Sequence, residues 1–592
     1  MAPIENFANY PKVEEGPDTG YAQREDHNPV LRGIPLVIGS ELMARSGFVA
    51  RLFYHNSGMG KIKEMRELDN VVSTFHPTVT PLGPTGPMIA FEPELLTSKY
   101  ASSNSRYYSV SDYHELYKSG KTTPLKVIET LLALTTGTGK YSDAWADAHG
   151  AEKLALEAAK ASTERWAAGQ PIGVLDGVPI GVKDDTDVEG YINHTGMKYN
   201  PSIACFAAKK ESVWPVKKLQ EAGAIVLGKN KMHELGSDTS GLNVAQGTPL
   251  NHLNNAYYPG GSSNGAGSSI SAGIVPICVA TDAGGSVRIP ANFNGIYGLK
   301  PTHHRTHVMQ YTMCVTGPMA ANVADLTIAY RVMTQPNPDC PTQGVFGLSI
   351  PPSPSAKRIM GVYRDWFNKA DPPVREMCDK ALDYFAAKRG YEIVDISIPY
   401  LPEMQIAHGG ICITEMAEKA RGRTPNPADH LSLIGGANKI VLSVGAQLSA
   451  ADYLKMNSLR TLVMRHLAFL FQKYPGLLIM TPATPLIGWP RTDGDDAYGM
   501  SDTNTTLRNM SYILLANVTG TPSITAPVGY VDPKQGEGKL PVSLIATGEW
   551  GSEEQLLSWA REAEEYLHEE YPEGRRRPDA WADVFTLAGG QQ

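Results

Sequence analysis

TDAGGSVRIPANFNGIYGLKPT, residues 281–302, follows directly on the apolar run ICVA at 277–280. A buried strand that ends in Asp282, Ala283 and two glycines before Ser286 brings several main-chain N–H groups to one hydroxyl. Glycine permits the unusual backbone angles and close approach that such a turn needs. The arrangement suits acyl transfer. Ser286 as a nucleophile needs a base to take its proton, and the N–H groups of Ala283, Gly284, Gly285 and Ser286 are candidate donors to the developing oxyanion. Donors of this kind typically contribute about 3–4 kcal/mol each. Gly-Gly-Ser also occurs in ordinary turns, so the base has to be found elsewhere in the chain.

Two stretches upstream supply candidates. In LDGVPIGVKDDTDVEG, residues 175–190, an apolar strand expected over 178–182 delivers Lys183 at its end. A lysine there is an ordinary surface cation unless burial and hydrogen bonding keep it neutral, and then it can act as a base. In YPGGSSNGAGSS, residues 258–269, Gly260 and Gly261 precede Ser262 and Ser263 at the start of a helix of small residues. A glycine-rich loop before a helix can hold phosphate, but no Gly-Lys-Ser/Thr ends it and no G-x-G-x-x-G follows a strand. Nor does a G-x-S-x-G elbow surround any candidate serine, which turns the search from histidine to lysine.

The elements around these stretches alternate. Thr123 can cap and Pro124 fits the first turn of a helix whose apolar face is Leu125, Ile128, Leu131 and Leu132. A second helix spans 150–169, and short apolar strands follow near 178–182, 224–227 and 275–281. Helical patterns dominate 401–473, before strands near 477–481 and within 522–529 and 540–548. The order predicts an α/β fold: a large mixed, mostly parallel twisted sheet flanked by helices on both faces. Residues 1–100 read differently, rich in Pro, Gly and Asn, as an arm with one or two helices laid on the main domain or on a neighbouring subunit. The catalytic domain is then 101–592, with a substrate-lining helical region at about 401–473.

Composition narrows the function class. With 42% hydrophobic and 19% charged residues the chain is an ordinary globular one. A net charge of -8 gives no footprint for nucleic acid. No secretory signal and no apolar run of about 18 residues is visible, so no membrane span is expected. Six scattered cysteines without C-x-x-C fit reduced thiols, and the expected location is the cytoplasm.

Taken together, GVPIGVKDD, GKNKMHELG, PGGSSNGAG, the 281–302 stretch, LLIMTPATP and LLANVTGTPSITAPVG resemble the amidase signature family, in the family's order and over most of the chain. The resemblance implies Ser286 as the acylated nucleophile, Ser262 on a cis peptide bond as the bridge, and Lys183 as the base. It implies supporting roles for Ser263, Thr281, Asp282 and Arg288. It places Met232, Gly236 and Gly261 beside the substrate channel, without deciding which of Met232 and Gly236 faces it. The expected reaction is hydrolysis of an amide C–N bond, or of a carbamate or ester, on a small molecule, with no metal and no cofactor. A homodimer is a family-level expectation.

Two departures stand out. Asn264 replaces the usual glycine after the second serine, and HHRTHVM follows LKPT, bringing His303, His304 and His307. The histidines lack companion acids or cysteines at ligand spacing, which favours polar lining or a surface loop over a metal site. IGWPRTDGDDAYGM, residues 487–500, reads either as an aromatic, polar pocket wall or as a surface loop. Two alternatives on the same fold stay open: a non-catalytic binding module, and one component of a glutamine-dependent amidotransferase.

Overall fold

Ten strands form one sheet: β1 (Pro179–Lys183), β2 (Ile225–Asn230), β3 (Ile277–Asp282), β4 (Tyr297–Lys300), β5 (Val315–Ala320), β6 (Ile359–Val362), β7 (Glu392–Asp395), β8 (Leu477–Pro482), β9 (Ser523–Val531) and β10 (Leu540–Thr547). Their spatial order is β7-β6-β8-β10-β9-β4-β5-β3-β1-β2. The structure is a computed structural model that describes residues 4–24, 27–83, 91–97, 106–349, 352–353, 356–424, 426–571 and 575–589.

The large mixed α/β sheet is as expected. Its four parallel ladders lie at the two ends, β7-β6-β8 and β3-β1-β2. The five ladders between them run antiparallel. Parallel pairing therefore prevails at the margins and not across the whole sheet. Short connections such as the one between β9 and β10 are hairpins, which can only pair antiparallel strands. All residues of β1 to β5 are buried, whichever side they point to, so helices and loops cover both faces.

The helix Pro124–Thr135 begins as its sequence predicts, with the Thr123 hydroxyl accepting from Lys126 N and Pro124 in the first turn. Its buried stripe runs through Val127, Ile128, Leu131 and Leu132; Leu125 is only half-buried. Leu401–Arg421, Gly436–Gly445 and Ala450–Lys473 form the expected helical region. The N-terminal residues lie on it. Helices Gly33–Arg45 and Gly47–Asn56 pack against Gly436–Gly445. A Cβ on Gly436 would come within 3.0 Å of the Ser40 hydroxyl, so the glycine sets this close approach. Further along, Ser458 and Thr461 donate to the carbonyls of Val71 and Val72, and Arg460 donates to that of Thr74. The outer face of the first two helices exposes Ile34, Ile38, Leu42 and Phe48. No helix among the described residues is long and apolar enough to cross a membrane.

Candidate active site

β1 and β3 are parallel neighbours, with Val182 opposite Val279, so their carboxyl ends lie side by side. That is where ligands bind in open α/β sheets. Lys183 closes β1, Thr281 and Asp282 close β3, and the Ala283–Ser286 turn follows. A buried amine is costly unless its polar neighbours satisfy it. Lys183 Nζ lies 2.8 Å from Ser262 Oγ, 2.8 Å from Thr281 Oγ1 and 3.2 Å from the Thr281 carbonyl oxygen. The Thr281 hydroxyl donates to Asp185 at 2.6 Å, which turns its lone pairs toward Lys183. Burial pushes the Asp185 carboxyl up, but the Lys183 charge and the Thr281 hydrogen bond outweigh it and leave the group below its usual value.

The Gly261–Ser262 peptide bond is cis, as the family resemblance implied. His233 N donates to the Ser262 carbonyl at 2.9 Å, which fixes the loop against the 232–236 segment. Asn264 fits this loop well: its amide donates to the Gly241 carbonyl and its Oδ1 accepts from Gly265 N. Ser263 opens the helix Asn264–Ser271 but its hydroxyl meets no partner, so the expected supporting contact is missing among the described residues.

Beneath the turn sits a buried ion pair. Arg288 donates to Asp282 through Nε at 3.0 Å and Nη2 at 3.1 Å, and to Asn517 Oδ1 at 2.6 Å. Asp282 also accepts from the N–H groups of Gly285 and Val287 on either side of Ser286, and from the Asn517 amide. Burial alone would raise the Asp282 carboxyl; Arg288 first, then Asn517, hold it well below the usual carboxylate range. These bonds correct one expectation. The Gly285 N–H is committed to Asp282 at 2.8 Å and leaves the set of oxyanion donors. Ala283, Gly284 and Ser286 keep N–H groups for which no acceptor is found among the described residues.

The two glycines of the turn have different reasons. Gly285 has φ +99°, which disfavours any side chain, and a Cβ there would meet Ile513 at 2.5 Å. At Gly284 a Cβ would meet His408 Cε1 at 2.9 Å and Met510 Sδ at 3.1 Å. A smaller apolar cluster that includes Ile289, Phe293, Ile513 and Ile545 packs below. Trp489 belongs to this cluster, so the indole of the 487–500 stretch is core rather than pocket wall, while Tyr498 is exposed; Met500 and the residues after it reach the cavity instead.

Two cavities meet at Ser286. One is mostly apolar and runs between the N-terminal residues and the helical region, past Phe53, Met59, Ile413, Val441, Val444 and Met510. The other carries Lys183 and Ser262 at its base and the charged groups Asp187, Lys209, Glu415, Lys419 and Arg423 further out. Gly236 lines both. Met232 and Gly261 do not reach either wall. Met232 is buried behind Gly236, and Gly261 is pressed against the backbone of Asp238 and Gly241.

Asp185, Asn517 and His408 were not singled out from the sequence. Asp185 had a signal, since KDD puts two acids after the lysine. The structure separates them: Asp184 anchors the 194–196 loop through His194 and Gly196, while Asp185 faces the site. Asn517 and His408 lie 235 and 125 residues from their turn partners, beyond any local pattern.

Of the histidine run, His303 and His304 are neither surface loop nor pocket lining, and His307 is half-buried. His303 and His304 are buried and stack on His76 from the N-terminal segment, with ring nitrogens within 4.8 Å of one another. Burial lowers all three imidazoles and keeps them neutral. Lys300 and Arg460 add positive charge beside His303, and no carboxylate or thiol joins the group among the described residues. The donor set therefore fits a packed ring cluster better than a cation site.

Known proteins resemble this chain in sequence and in fold. A fatty acid amide hydrolase of Medicago truncatula is 30% identical over 512 residues, 82% of this chain and 80% of that protein. An indoleacetamide hydrolase of Bradyrhizobium diazoefficiens is 30% identical over 400 residues, 64% of this chain and 73% of its own length. The crystal structure of a bacterial aryl acylamidase of the amidase signature family superposes with a TM-score of 0.65 at 21% identity, covering 83% of this chain and all of that one. The amidase family model matches residues 141–557, a span that takes in all ten strands, Lys183 and both serines, and the chain belongs to that amidase signature family.

Proposed function

We propose that Ser286 attacks the carbonyl of an amide whose apolar acyl part lies in the apolar cavity and whose amine side faces the charged one. Hydrolysis of amide C–N bonds by a serine is the chemistry of the family. The observation that carries the assignment of roles is the hydrogen bonding of Lys183. A neutral amine has two N–H bonds and one lone pair. Nζ has three oxygen partners, Ser262 Oγ and the carbonyl and hydroxyl of Thr281: the ammonium donates to all three, and the neutral amine that starts the reaction keeps the two bonds to Thr281 and turns its lone pair to the Ser262 proton. Ser262 in turn takes the Ser286 proton as the Ser286 Oγ–carbonyl bond forms, and Lys183 becomes the ammonium.

The oxyanion is received by the N–H groups of Ala283, Gly284 and Ser286. The relay then returns its proton to the leaving nitrogen as the C–N bond breaks, releasing ammonia or an amine. Water, losing a proton to the same relay, attacks the acyl-serine, and the acid departs with Ser286 and neutral Lys183 restored. Apart from the substrate and this water, the groups these steps use are side chains and peptides of the chain.

The apolar lining and the fatty acid amide hydrolase relatives support amides of long, apolar acids. The test is amine release from a panel of amides, carbamates, esters and glutamine by wild type, Ser286→Ala and Lys183→Ala. Loss of turnover in both variants, with preference for apolar acyl groups, is expected. Turnover surviving Ser286→Ala refutes the nucleophile. A preference for glutamine refutes the substrate class and favours the amidotransferase reading.

A further inference from the structure

We infer that His408 is a positioning residue for the oxyanion turn: its Nε2–H holds the Ala283 carbonyl and so aims the Gly284 N–H at the reacting carbonyl. The inference rests on the reading of Ser286 as the nucleophile. It comes from a contact between two elements far apart in the chain. His408 stands on the helix Leu401–Arg421 and its Nε2 lies 2.9 Å from the Ala283 carbonyl oxygen. Cys412, one turn on, brings its thiol to 3.9 Å from the same oxygen.

The physical link is the peptide unit. The Ala283 C=O and the Gly284 N–H belong to one planar trans group and point in opposite directions. Fixing the oxygen on the helix side therefore fixes the hydrogen on the other side. A hydrogen bond accepted by the carbonyl also polarises the amide and strengthens its N–H as a donor. The need is specific to this turn. Asp282 already holds the Gly285 and Val287 N–H groups, so the 284–285 peptide is braced from below. The 283–284 peptide has no bond from Asp282; His408 and Cys412 are the donors to its oxygen among the described residues.

The ring is suited to that role in two further ways. It packs so closely on Gly284 that a methyl group there would clash with its Cε1 and Nε2. It is also buried, which pushes its pKa down to about 4 and keeps it a neutral imidazole with a single N–H. With that proton committed to Ala283, Nδ1 remains unpartnered. A buried polar atom without a partner is unfavourable, so packing alone gives no reason for histidine here, whereas a donor at Nε2 does.

The experiment compares His408→Leu, His408→Gln and His408→Asn with wild type. Glutamine can present an amide donor where Nε2 stood; asparagine is too short to do so. Each protein is assayed for kcat and KM on the preferred amide. Each is also titrated with a trifluoromethyl ketone carrying the same acyl chain, whose adduct places an oxyanion in the turn, and with the matching secondary alcohol, which does not. Deleting an oxyanion donor outright costs about 10²–10³-fold in kcat. A donor that is present but unaimed is expected to cost His408→Leu about 10- to 100-fold in kcat, with KM within about threefold. The ketone should weaken by the same factor and the alcohol should be unchanged. His408→Gln should recover most of the loss and His408→Asn little of it.

Wild-type kcat and ketone affinity in His408→Leu overturns the inference. So does an equal loss for ketone and alcohol, or a glutamine variant no better than asparagine. If His408→Leu does not fold, the glutamine–asparagine comparison decides alone. Failure of the ketone to form an adduct with wild type, together with turnover by Ser286→Ala, removes the nucleophile assignment itself and this inference with it.

Discussion

Replacing Arg288 by methionine removes the cation from Asp282 and keeps most of the side-chain length. The guanidinium makes two bonds to Asp282 and one each to Asn517, the Ile513 carbonyl and the Ser523 hydroxyl, all buried. Breaking one side of a buried pair costs about 3–5 kcal/mol, because a desolvated charge is left behind. Unfolding entropy is about 2.1 cal/mol/K per residue, so for 592 residues that cost corresponds to a Tm lower by only about 2–4 °C. The pH dependence is more telling. In wild type the Asp282 carboxyl sits below its unfolded value of about 3.9, so its stabilisation is complete above that pH and is lost only as pH falls through the lower folded value. In Arg288→Met the largest lowering influence is gone, and burial, opposed now only by the Asn517 amide, Lys300 and the two main-chain N–H groups, is expected to carry the folded value above the unfolded one. The folded state then binds the extra proton, and the variant loses stability as pH rises. The Tm gap to wild type should therefore be wider at pH 7 than at pH 5, by calorimetry at both. Because Asp282 holds the peptides on both sides of Ser286, kcat should fall far more than Tm suggests. Asp282→Asn/Arg288→Met should be more stable than the sum of the single variants predicts, by at least about 1 kcal/mol. An unchanged Tm at both pH values, or strict additivity, refutes the pairing argument.

Three further outcomes can be checked. Thr281→Val removes one acceptor of the Lys183 amine and the donor to Asp185; a hydrogen bond to a charged group contributes about 1.5–3 kcal/mol, so kcat should drop by about 10- to 100-fold with KM little changed. Gly284→Ala puts a methyl group against His408 and Met510, and overpacking of this kind costs about 1–3 kcal/mol; reduced Tm and reduced kcat are expected together. Val444→Trp narrows the apolar cavity, so kcat/KM for long-chain amides should fall about 10-fold or more relative to short-chain ones, and an unchanged ratio would show that the acyl chain lies elsewhere.

The local elements could be read from residue order because local sterics and burial fix them. Pro124 after Thr123 starts a helix, and PIGV before Lys183 makes a fully buried strand. The candidate relay was legible through the family resemblance, which singles out Lys183, Ser262 and Ser286; their positions at strand ends and before a helix, where a sheet presents side chains to a ligand, are consistent with it but do not select them. Which N–H groups remain available was not legible. Gly285 looks like its neighbours in sequence, and only the fold brings Asp282 beneath it to take its hydrogen. Met232 and Gly236 are equally spaced candidates until packing turns one of them inward.

The same holds at longer range. The histidine run acquires its meaning from His76, 227 residues before His303, and the turn acquires His408 from a helix 125 residues after it. Sequence by itself determined six of the ten strands, the start of the Pro124–Thr135 helix and the types of group at the ends of β1 and β3, since these follow from near-neighbour geometry and hydrophobic burial. Tertiary structure alone decided which donors are occupied, which rings are buried and what covers the turn. Those depend on contacts between segments that no local periodicity relates.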